Sequence, residues 1–127
     1  MKVEVSNGEL LDKLSILEIK LKNITDEEKL VNIQNEFDVL NPLAEDIFDN
    51  NDSDLQNHYL ELENINSQLW KIEDDIRECE RNKDFGEKFV ELARDVYITN
   101  DKRCEVKKII NISTGSELVE EKGYEEY

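Results

Sequence analysis

The chain has 127 residues, enough for one domain with a single modest core. Its 16 Lys and Arg face 32 Asp and Glu, and a net charge of −16 disfavours nucleic-acid phosphates or an anionic membrane surface as partners, since both are recognised by basic side chains. With one Pro, four Gly, 38% hydrophobic and 38% charged residues, the composition suits long helices better than a turn-rich β sandwich.

Met1 to Val5 alternates apolar and polar residues weakly, as a short extended segment would, and carries acid where a secretory leader would be apolar. No stretch approaches the roughly 20 apolar residues of a membrane span, so a cytoplasmic protein is expected. Cys79 and Cys104 lack CxxC or Cys/His spacing and read as reduced thiols rather than metal ligands.

Ser6 and Glu9 have the spacing of a capping box, and Leu10, Leu14, Leu17, Leu21 and Ile24 follow at helical period. Leu11, Ile16 and Ile19 widen that apolar face, which implies burial by more than one neighbour. Thr25 and Glu28 form a second box before Leu30, Ile33, Phe37 and Leu40, the seam of a second helix. Asn41-Pro42 reads as a stop and a new start, giving a short third helix with Leu43, Ile47 and Phe48.

The run Asp49 to Asp52 is a polar loop, after which Ser53 and Gln56 cap the longest helix. Leu55, Tyr59, Leu62, Ile65, Leu69, Ile72, Ile76 and Cys79 form its seam, with Trp70 beside it as a packing anchor. Asp84 and Glu87 mark the start of a fifth helix whose buried face is Phe89, Leu92, Ala93, Val96 and Tyr97. The last two helices form an antiparallel hairpin, and Gly115 is placed to end the second of them. The expected fold is all-α: one antiparallel helical bundle over residues 1–127, built on that hairpin, with 117–127 an acidic tail that either packs loosely or frays.

The stripe through Phe89, Ala93, Val96 and Tyr97 turns polar at Asn100, Arg103, Cys104, Lys107 and Asn111, while Val106, Ile109 and Ile110 centre on another face. Either the helix breaks near Thr99-Asn100, or one continuous helix turns a polar stripe toward a pocket or interface. A continuous helix requires Arg103 to meet a carboxylate, for which Glu18 and Glu73 are the candidates. Asn100, Arg103, Lys107 and Asn111, bordered by Arg94 and Tyr97, are the candidate ligand-binding residues, since cations and amides on one face suit a carboxylate or phosphate.

The acid-rich spacings at Glu61, Glu63, Glu73 to Asp75, Glu78 and Glu80 read as solvated faces, and His58 is the only histidine, so no metal site or cofactor is expected. Gly8, Gly86, Gly115 and Gly123 are isolated, which excludes a Gly-rich phosphate loop.

Gly8 to Lys20, Leu69 to Arg77, Glu91 to Tyr97, Asn100 to Arg103 and Gly115 to Lys122 resemble a family of short uncharacterised helical proteins of bacteria and phages. The resemblance covers nearly the whole chain and implies a single unit in a bacterial or phage setting, with no activity to carry over. It also suggests an association with sugar transfer or cell-surface polysaccharide. Cys104 and Gly123 depart from the family pattern, in which Ala and Ser are expected.

Two readings of function follow. The first is a noncatalytic helical interaction module that self-associates or binds a protein partner, because the Leu55 to Cys79 seam exceeds what a small bundle covers. The alternative is a small enzyme or binding protein for an anionic metabolite such as a nucleotide sugar. Whether the chain is an enzyme is not legible from these residues.

Overall fold

A computed structural model describes all residues 1–127 as four helices: α1 (Asn7–Asn23), α2 (Glu27–Asp49), α3 (Asp54–Arg81) and α4 (Glu87–Ser113). No strand forms, and the helix contacts are those of an all-α bundle. No helix is long and apolar enough to cross a membrane.

The Ser6 side chain caps α1 as its spacing implies, accepting from the Glu9 amide. Asp26, not Thr25, caps α2 by accepting from Lys29, whereas α3 starts after the expected Ser53, though without a side-chain bond from it. The N-cap of α4 is Gly86 rather than Asp84, whose carboxylate instead accepts from the Gly86 amide and shapes the turn.

Where two helices were expected around Asn41-Pro42, there is one. Pro42 lies exposed inside α2, so the donor it lacks falls on the solvent side. Ile33, Phe37, Leu40, Ala44, Ile47 and Phe48 keep one stripe through the proline, and packing along that stripe holds the helix together.

α3 and α4 form the antiparallel hairpin, and α1 contacts all three other helices. Near its start α1 meets α4 at Lys107 and Asn111, Asp12 touches both hairpin helices, and Lys22 faces Glu63 of α3. α1 therefore crosses the hairpin from α4 toward α3, with α2 returning along it. Leu11, Leu14, Ala44, Leu55, Tyr59, Leu62, Ile65, Val106 and Ile110 make the core, with Phe48 edge-on to Tyr59 at 5.4 Å.

Both hairpin helices end on a residue with positive φ, Lys83 at 54° and Gly115 at 65°. After α4 the Ser116 amide bonds the Asn111 carbonyl and that of Gly115 bonds Ile112, the paired bonds of a Schellman end for which Gly suits the left-handed position. The equivalent pair after α3 runs from Asp84 to Cys79 and from Lys83 to Glu80.

Close approach explains Gly8. A Cβ there would stand 2.5 Å from the Lys107 carbonyl oxygen, so no larger residue fits between α1 and α4. Gly8→Ala should cost about 1–3 kcal/mol of unfolding free energy, as overpacking against backbone does. Leu62→Ala should cost about 2–5 kcal/mol and the exposed Leu60→Ala within about 0.5 kcal/mol, both read from urea unfolding midpoints.

Candidate functional site

α4 runs unbroken through Thr99 and Asn100, so its polar stripe is a continuous feature of one helix. It meets a second stripe, of small and polar residues, on α1. Gly8, Asp12 and Ser15 follow one another at helical spacing and all three are buried.

Asp12 is the centre of this contact. Its side chain is fully buried, and its two oxygens accept from Nε and one terminal nitrogen of Arg103, a bidentate pair. The Asn66 amide of α3 donates to Asp12 at 2.8 Å and to the Ser15 hydroxyl at 2.8 Å, while Ser15 donates to the Asp12 carbonyl. The hydrogen bonds it donates to Asp12 hold the Arg103 guanidinium above its ordinary pKa. The partner of Arg103 is therefore neither Glu18 nor Glu73. Asp12 takes the role because it sits on the buried stripe of α1 at the level where α3 and α4 both approach.

One turn along, the Lys107 ammonium bonds Glu9 and lies 3.8 Å from Glu120 and 3.9 Å from Asp12. Asn111 is buried too, and its side-chain oxygen accepts the Gly8 amide at 2.6 Å. The Asn7 amide finds the Ser116 hydroxyl, and those of Glu9 and Leu10 find the side chain and carbonyl of Ser6. Three of the donors that a helix start leaves open, those of Asn7, Gly8 and Glu9, are thus satisfied, two of them by side chains at or just past the end of α4. The negative end of α4 also faces the positive end of α1.

The tail from Glu117 has no regular structure but lies against α4. Glu120 accepts from Ser6, Glu121 from Lys108 at 2.8 Å, and the Tyr127 hydroxyl donates to Asp101 at 2.7 Å, with Lys122 on the other Asp101 oxygen. These bonds hold the Asp101 carboxyl below its usual range. Tail and helix together frame an open cleft of about 1000 Å³ that includes Tyr97, Asn100, Cys104, Lys107 and Asn111. Its walls carry six carboxylates and three lysines, so its own charge is negative.

Of the six residues singled out from sequence, Asn100, Arg103, Lys107 and Asn111 do share a stripe, with Tyr97 beside it against Tyr127. Arg94 stands exposed and outside the cleft. Arg103 and Lys107 are already bound by carboxylates of the chain, and no group of three or more His, Cys, Asp or Glu is placed to hold a metal ion. Asp12, Ser15 and Asn66 were the residues missed. Polar residues inside the apolar face of α1 were the available signal.

Arg103→Leu should lower stability by about 3 kcal/mol, because it leaves the Asp12 carboxylate buried and unpaired. Adding Asp12→Leu to that variant should recover part of the loss, a non-additivity that a double-mutant cycle in urea measures directly.

The model of a family of unknown function, DUF6165, matches residues 1–127, and the chain belongs to that family. No curated protein and no solved structure matches it.

Proposed function

We propose that this member of DUF6165 is a noncatalytic interaction module whose α3–α4 hairpin pairs with the hairpin of a second copy. The supporting observation is how unevenly the hairpin is buried. From Ser67 to Ile98 only Cys79 is buried, whereas Leu55, Tyr59, Leu62, Ile65, Asn66, Thr99, Val106, Ile110 and Asn111 are buried in the other half.

In that outer arm Leu69, Ile72, Ile76, Phe89, Leu92 and Val96 are only half-buried, and Phe85 and Val90 are more than half exposed. The two helices of the arm leave this seam only half-covered, and laying a second hairpin on it makes a four-helix bundle that covers it. Charge favours a copy of the same chain as the occupant. The arm holds six cations and nine acids, a net −3, while the remaining residues carry −13, so like arms meet where mutual repulsion is weakest.

Binding of an anionic metabolite by Asn100, Arg103, Lys107 and Asn111 is the less favoured reading, because such a ligand has to displace Asp12, Glu9 and Glu120 from the same cations. It also has to enter a cleft of negative charge.

Sedimentation velocity at micromolar concentrations should give a dimer for the natural chain. Phe85→Lys with Val90→Lys, both at exposed positions, should give a folded monomer with unchanged helical circular dichroism. A natural chain that sediments as a monomer throughout the micromolar range defeats the proposal.

A further inference from the structure

The tail beyond Gly115 is held in two different ways. Its root is tied into the bundle: the Ser116 hydroxyl accepts the Asn7 amide at 3.1 Å and Glu120 accepts the Ser6 hydroxyl at 2.9 Å, both partly buried. From Glu121 onward every side-chain bond is exposed. Glu121 meets Lys108 at 2.8 Å with both side chains largely in solvent, and Lys122 and the Tyr127 hydroxyl share the Asp101 carboxylate. The Tyr127 ring stands edge-on to Tyr97 at 5.4 Å yet stays 82% exposed.

No apolar burial backs these bonds, since Leu118 and Val119 also remain exposed, and residues 121–127 form no helix or strand. Exposed pairs contribute little, while fixing each residue of the segment costs conformational entropy, so closure outweighs opening by a narrow margin. Charge opposes closure as well. Residues 117–127 hold five acids and one lysine and lie against a body that is itself negative.

Cys104 stands between the two anchors, one turn from Asp101 and one from Lys108, half-buried in the cleft that the tail and α4 frame. We propose that residues 121–127 form a detachable strap that closes on α4 at Lys108 and Asp101 and, lifting from its root at Glu120, opens the flank of α4 around Cys104. Asp101 is the decisive anchor, because one carboxylate receives both Lys122 and Tyr127 and only Glu121 remains without them. Lifting the strap frees Tyr97, Asp101 and Lys108 together. The α1–α4 contact beneath stays intact, because Asp12 with Arg103 and Gly8 with Asn111 are bonded independently of residues 121–127.

The Cys104 thiol reports the opening, and the buried Cys79 is its internal control. Alkylation of the whole chain by iodoacetamide at neutral pH, followed at each cysteine by peptide mass spectrometry, measures both. Lys122→Gln with Tyr127→Phe should speed alkylation of Cys104 at least about fivefold, with Cys79 still unreactive and helical circular dichroism unchanged. Removing a cation from beside a thiol by itself slows its alkylation, so a faster rate reads access rather than charge. Lys102→Gln, at an exposed cation of α4 outside the cleft, should bring no such rise. Equal rates in the natural chain and the double variant overturn the strap, as does a rise that Lys102→Gln reproduces or that Cys79 shares, the last reporting a loosened bundle instead.

Discussion

The structure depends on one buried carboxylate. Asp12 lies where α1 crosses the hairpin, and a carboxylate without water has to be paired. Arg103 supplies the charge from α4 and Asn66 a further donor from α3, so a single side chain ties three helices together. Apolar packing alone would allow α1 to slide along the groove or rotate at small cost. A bidentate pair does not, because displacement by one turn leaves both ions unmatched. The contact thus contributes more to the position of α1 than to net stability.

Fixing α1 there divides the hairpin into two unlike halves. On the inner half, α1 and α2 cover the seam, and Leu62 and Ile110 are completely buried. The outer half continues the same seam with nothing over it. Helical propensity and pairs such as Lys71–Asp75 help the helices to form there, but exposed pairs of this kind each add only a few tenths of a kcal/mol. The apolar side chains of the arm are what a further partner has left to bury.

Period was the readable part of the sequence. The stripes of α1, α3 and α4 locate those helices, and Gly115 its turn, because each is encoded within a few adjacent residues. Pro42 misleads for a related reason: its local preference is real, but Ala44, Ile47 and Phe48 continue the stripe of Ile33, Phe37 and Leu40 beyond it, and tertiary packing outweighs one missing bond. The polar stripe of α4 was legible as an anomaly, and its need for a carboxylate followed from the cost of burying Arg103. Which carboxylate was not legible. Glu18 and Glu73 flank apolar seams as visibly as Asp12 does, and choosing among them requires the angle at which α1 crosses the hairpin, which no local pattern encodes.

That crossing also gives the two ends of α1 different surroundings. The early part of α1 lies against α4, whose stripe offers Arg103 and Lys107, so Asp12 and Glu9 are neutralised by fixed cations. Further along, α1 has passed over to α3, where Lys22 faces Glu63 at 3.8 Å with its side chain mostly in solvent. The start of α1 is further bound to the far end of the chain through Ser6, Asn7 and Gly8, which meet Glu120, Ser116 and Asn111. The first turns of α1 and the close of α4 therefore hold one another through paired charges and satisfied backbone donors, whereas the second half of α1 rests on the apolar packing of Leu17 and Ile19 and on a pair too exposed to contribute much.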